Sequence, residues 1–207
     1  MTFTAFHGKQ SVKDFYIAQL KAHQAADEII QGKYWENGKG CAVGCTIHSS
    51  DHFQYPERIG FPVSLAIIED VFFEGLSNQD AKNFPLLLTQ AVPVGFTEEQ
   101  FKKVKSDLMD FIEKDIRDAR TLLLFWDFLH GLEVQDFHYT WALRTLRHVC
   151  DTRALLDFRA PRDAYYKKLS DKLISLFTEA QKEMDYPCVT TVMFLPTEEK
   201  QKELVSV

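Results

Sequence analysis

Apolar residues return every three or four positions through most of this chain, and the residues that interrupt the rhythm are those that start and stop helices. Ser11 with Asp14 reads as a capping box, and the pattern SVKDFYIAQLKAHQAADEII runs on to Gly32, a natural C-terminal stop. Pro62 stands where a first helical residue belongs, and Gly75 closes the helix that follows. Ser77, with Asp80 three residues on, caps the next segment, in which Pro85 predicts a kink or a restart. Thr97 and Gln100 form another capping box at the head of the longest periodic run, Phe101, Val104, Leu108, Ile112, Ile116, Ala119, Leu123 and Trp126. Unbroken to Leu129, this helix would be about 48 Å long at 1.5 Å per residue. Further helices are predicted over 136–158 and from Pro161 to Met184. The β-branched run Val189 to Val192 is the one strand candidate, spanning 189–194, and it has no evident partner.

The predicted fold is therefore all-α, a helical bundle forming one domain over 1–207. A motif-bearing half covers 1–95, long helices cover 97–185, and a C-terminal extension covers 186–207. Hydrophobic residues at 45% with 17 Phe imply a bulky aromatic core rather than disorder. A net charge of -6 works against sequence-independent attraction to phosphate backbones, which excludes nucleic acid as a partner. The longest apolar run, Leu122 to Trp126, is far short of the roughly 20 residues that cross a bilayer, and no basic-then-apolar leader opens the chain. A soluble cytoplasmic protein with no membrane partner is the expectation. The cluster Leu122–Phe125, Trp126, Phe128 and Leu129 covers more of a helix than one core-facing stripe needs, which predicts a homodimer.

Chemistry concentrates in the segment GKGCAVGCTIHSSDH, residues 38–52, which holds two of the four cysteines and two of the seven histidines. Gly38, Gly40 and Gly44 match GxGxxG, but no buried strand precedes them, so they read as glycines that permit close packing and positive φ. Cys41, Cys45, His48 and His52 share one arc of about 60° if helical, with the first and last about 16.5 Å apart along the axis. Only neighbours could then share an ion, and the metal-ligand candidates are Cys45, His48, His52 and Glu69, with zinc the implied divalent ion. A covalent mechanism asks for fewer groups. Cys41, in the first turn of a helix beside Lys39, is the candidate nucleophile with a depressed thiol pKa. Cys45 is a resolving thiol, and His48 or His52, oriented by Asp51, is the base. Trp35, Glu36, Asn37, Gly38, Lys39 and Gly40 are the candidate ligand pocket for a small molecule. Glu69 and Asp70 diverge by about 100° on their helix, so at most one faces the cluster and a solvated acidic face is the usual outcome.

The blocks Phe6–Gln10, Ala25–Glu28, Tyr34–Thr46 and Leu65–Asp70 resemble the N-terminal half of a family of bacterial hypothetical proteins sharing a WENGKGCAVGCT motif. The resemblance spans residues 1–95 and implies a bacterial relationship without an activity. The expected function is accordingly a ligand or metal pocket around residues 38–52. The alternatives are a Cys/His hydrolase, transferase or thiol redox enzyme, and a non-enzymatic helical scaffold acting as a homodimer.

Overall fold

The computed structural model describes residues 4–116, 121, 125, 139–155 and 161–185. Within them the protein is predominantly helical, as the apolar spacing predicts. The α-helices are α1 (Gln10–Ala25), α2 (Ala42–Ile47), α3 (Tyr55–Ile59), α4 (Val63–Gly75), α5 (Asn78–Ala91), α6 (Glu98–Asp115), α7 (Tyr139–Leu155) and α8 (Arg162–Asp185). A short antiparallel hairpin, β1 (Trp35–Glu36) and β2 (Lys39–Gly40), joins α1 to α2 and pairs Trp35 with Gly40. The strand expected over 189–194 lies outside the described residues, as does most of the apolar run 122–129.

Three helix starts follow their predicted capping residues, but α1 begins at Gln10 with Lys9 as an N-cap that makes no side-chain bond, so Ser11 and Asp14 lie inside the helix and Asp14 accepts from the Gln10 amide instead. Thr97 Oγ1 accepts the Gln100 N–H while the Gln100 side chain accepts the Thr97 N–H at 2.8 Å, a complete capping box. Ser77 accepts the Asp80 N–H, and Pro62 directly precedes α4. The ends are less obedient. α1 stops at Ala25 rather than Gly32 because Glu28 to Ile30 are claimed by tertiary pairing: Gly40 N–H donates to Glu28 O at 3.0 Å and Ile30 N–H to Gly40 O at 2.8 Å. Pro85 does not restart α5, which runs through it as one helix with the Pro85 ring buried. The long helix from Thr97 ends at Asp115, where Ile116 turns to φ -74° and ψ 126° and its partly buried side chain packs against the core.

Phenylalanines supply much of that core. Phe6, Phe61, Phe72, Phe73, Phe84, Phe96, Phe101, Phe125 and Phe177 are buried. Phe96, Phe101 and Phe177 meet edge to face or nearly so, with centroids 5.0 to 5.8 Å apart, and tie α6 and α8 to the connection that precedes α6. The small helix α2 lies at the centre of this half, in contact with α1, α4 and α5, so every side chain from Ala42 to Ile47 is buried. No described helix is long and apolar enough to cross a membrane.

Candidate active site

The position of α2 follows from two glycines. A Cβ on Gly44 would stand 1.8 Å from the Tyr34 carbonyl oxygen, and one on Gly40 2.1 Å from it, so only hydrogen lets the hairpin backbone lie against the helix start. That carbonyl in turn accepts the Cys41 N–H at 3.0 Å. Cys41 is thereby fixed as the N-cap of α2, with its sulfur accepting the Gly44 N–H at 3.3 Å.

Behind α2 the chain reverses. His48 caps the helix in the left-handed conformation, φ 51° and ψ 44°, and the His52–Gln54 turn brings His52 back beside Cys41. His52 Nε2 lies 3.5 Å from Cys41 Sγ, and His52 Nδ1 lies 3.1 Å from Asp70 Oδ2 on α4. All three side chains are buried, and their ligand-type atoms lie within 4.8 Å of one another. With Asp70 on Nδ1, the neutral imidazole carries its proton there and turns a lone pair on Nε2 toward the thiol. Burial, followed by the nearby Asp70 charge, pushes the Cys41 thiol well above its ordinary range, against the smaller opposing effect of the Gly44 N–H. The expected depression at a helix start does not arise, because the sulfur is out of water and faces a carboxylate. The Cys41 thiol is therefore held in its protonated form at rest.

The remaining sequence candidates go elsewhere. His48 Nε2 lies 2.7 Å from His23 Nε2, and His23 Nδ1 is 2.6 Å from Glu28, a relay of carboxylate and two imidazoles roofed by Trp35, whose ring stacks on His48 at 4.7 Å and 10°. Cys45 turns to the carbonyls of Gly40 and Glu28, and burial pushes its thiol up to about 12. Asp51 caps the His52 turn through the Phe53 N–H rather than reaching an imidazole nitrogen there. Glu69 and Asp70 are both buried rather than forming a solvated face: Asp70 meets His52, while Glu69 accepts the Tyr55 hydroxyl at 2.6 Å. Thus Cys45, His48, His52 and Glu69 are not gathered at one point; the one three-residue donor group among the described residues is Cys41, His52 and Asp70. Burial raises the Glu69 carboxyl to about 8.

Of the candidate pocket residues, Trp35 packs on the histidine pair, Glu36 pairs with Lys33, and Asn37 and Gly38 make the positive-φ turn. An open cleft of about 190 Å³ lies one step away, between the Lys33–Tyr34 segment, Asp70 and Glu74 of α4, and Leu143 and Arg147 of α7. The Tyr34 ring meets His52 edge-on at 4.8 Å and, like Asp70 of the cluster, lines this cleft. A larger groove of about 310 Å³, beside Lys103, Glu179 and Met184, includes none of these groups. His23 carried no spacing signal in the sequence. No protein-family model, curated protein or solved structure matches the chain.

Proposed function

We propose that the protein is a thiol-dependent acyl-transfer enzyme, a hydrolase or transferase, with Cys41 as nucleophile, His52 as general base and acid, and Asp70 as the residue that positions His52. The observation that carries this reading is the use of the two imidazole nitrogens in opposite directions, Nε2 toward sulfur and Nδ1 toward the carboxylate. In the reaction, Cys41 Sγ attacks a carbonyl carbon as its proton passes to His52 Nε2. Asp70 holds the Nδ1 proton and offsets the imidazolium charge. Collapse expels the leaving group, which takes the proton from Nε2 and leaves a thioester; water or an acceptor, deprotonated by the same nitrogen, then attacks the thioester carbonyl, and collapse expels the Cys41 sulfur, which takes that proton back from Nε2. Substrate enters through the cleft that Tyr34 borders.

A second reading is favoured by the closeness of the three donors, all within 4.8 Å. Cys41, His52 and Asp70 would hold a divalent ion such as zinc, which supplies Lewis acidity when bound. The thiol reading is preferred because the contacts of His52 run from Nε2 to the Cys41 sulfur and from Nδ1 to Asp70. The test is incubation with p-nitrophenyl acetate followed by intact and peptide mass analysis. A single acetyl group on Cys41, formed equally fast in the presence of a strong chelator, supports the thiol reading. Absence of the adduct, or its dependence on metal, contradicts it.

A further inference from the structure

We infer that Arg147 is the specificity-determining residue of the cleft beside Tyr34, where it anchors the carboxylate of an acidic acyl substrate. The inference rests on the thiol reading only for the word acyl; the anchor itself is a binding claim.

Arg147 lines the cleft from α7 with its side chain 37% exposed. Its guanidinium has donors to spare. Nε is buried without a hydrogen-bond partner among the described residues, and the contact with Glu74 is long, 3.7 Å from Nη2 to Oε2. Glu74 is partly occupied elsewhere, since its Oε1 accepts the Gly32 N–H at 2.8 Å. The terminal nitrogens of Arg147, at the wall of an open cleft with only the long Glu74 contact, fit a carboxylate that approaches from the cleft. Lys33, held by Glu36 at 3.1 Å, also lines the cleft, and Leu143 offers apolar surface for a short methylene chain.

The acids in the cleft decide between anions. Asp70 and Glu74 leave the site with two cations against two carboxyl groups, which tolerates a singly charged carboxylate far better than a doubly charged phosphate. Burial also raises the Glu74 carboxyl, easing its repulsion of such a guest. At about 190 Å³ the cleft is smaller than the roughly 300–1,000 Å³ that holds drug-sized ligands, so it suits a short dicarboxylic half-ester or half-amide, or one acidic terminus of a larger chain. The link to the thiol is Tyr34. Its phenol lies in the electrostatic fields of Asp70, Cys41, Glu74 and Arg147 together, so the cleft and the nucleophile share one neighbour.

The experiment measures glutarate binding calorimetrically in the full chain carrying Cys41→Ala, alone and combined with Arg147→Gln or Arg147→Lys, with butyrate and inorganic phosphate as comparison ligands. Circular dichroism melts confirm that each variant is folded. Glutarate should bind, butyrate should bind at least 10-fold more weakly, and Arg147→Gln should lower glutarate affinity at least 10-fold. Arg147→Lys should fall between, because an ammonium keeps the charge and loses the fork. Absence of glutarate binding, or binding unchanged by Arg147→Gln, overturns the assignment, and phosphate binding tighter than glutarate overturns the choice of carboxylate. Failure of the thiol reading shows separately, as no acetyl adduct on Cys41 with p-nitrophenyl acetate.

Discussion

Cys41 and His52 face each other at 3.5 Å although they stand eleven positions apart in the chain, because the helix that Cys41 caps ends at Ile47 and the chain turns back through a left-handed His48. On a continuous helix those two side chains would stand about 16.5 Å apart along the axis. Ending the helix early is what makes a thiol and an imidazole into one chemical unit, and α4 then supplies Asp70 to orient it.

Asp70→Asn keeps the size of the side chain and removes the acceptor that fixes the Nδ1–H tautomer. The amide N–H₂ can face Nδ1 and leave the proton on Nε2, pointing at sulfur instead of accepting from it. Acetylation of Cys41 by p-nitrophenyl acetate should fall about 10²–10⁴-fold at pH 7, the usual worth of a positioned general base. Stopped-flow release of p-nitrophenol measures this, and an unchanged rate would remove Asp70 from the account.

Much of the fold was legible because its helix starts rest on local chemistry. Thr97 with Gln100, Ser77 with Asp80, and Pro62 act within four residues of themselves and read correctly from spacing. The ends at Ala25 and Asp115 depend on partners distant in the chain, such as Gly40 bonding across to Glu28 and Ile30, which no local pattern encodes. The site divides in the same way. Segment 38–52 was visible as a concentration of thiols and imidazoles, and Cys41 and His52 both lie in it. Which histidine serves which partner was not visible, since His23 comes from α1 and Asp70 from α4, both brought in by packing. The raised Cys41 thiol likewise follows from burial and a carboxylate neighbour that spacing does not reveal.

Gly44 tests the packing of the hairpin on α2. Its φ is ordinary for a helix, so alanine there costs nothing in backbone strain, yet the added methyl would meet the Tyr34 carbonyl at 1.8 Å. Gly44→Ala should destabilise the protein by about 1–3 kcal/mol, the range for forcing a methyl into a filled site. It should also slow Cys41 chemistry, because the Tyr34 carbonyl that holds the Cys41 N–H must move. Urea denaturation and the p-nitrophenyl acetate rate read the two effects.

Glu69 gives the fold a pH dependence of known sign. Its carboxyl titrates near 8 when folded against 4.5 in its ordinary state, so between these values the folded protein binds the proton that the unfolded chain has lost. Stability from this group is therefore present at low pH and declines as pH rises toward 8, by up to roughly 1.4 kcal/mol per pH unit. Glu69→Gln keeps a neutral partner for the Tyr55 hydroxyl and should flatten that slope. Urea midpoints at pH 5, 6, 7 and 8 for both proteins check it, and parallel slopes would contradict it.

His48 acts in the opposite direction. Burial and the neighbouring His23 hold His48 below its ordinary value, so under acid conditions the unfolded chain binds a proton that the folded one resists. Stability should fall as pH drops below about 6.5, the unperturbed histidine value, and His48→Gln should reduce that loss. Thermal midpoints at pH 5 and 7 provide the comparison, with an equal drop in both proteins as the contrary result.

The central claim is that His52 supplies the proton acceptor for Cys41, and the most direct measurement is the single-turnover acetylation rate of Cys41 across pH 6 to 10 in the native protein and His52→Gln. Native protein should react at least about 100-fold faster at pH 7, as expected for a positioned base. The variant should recover only as hydroxide rises past the ordinary thiol range, because burial holds the unaided Cys41 thiol protonated. Equal rates at pH 7, with acetyl on Cys41 in both, would contradict the account.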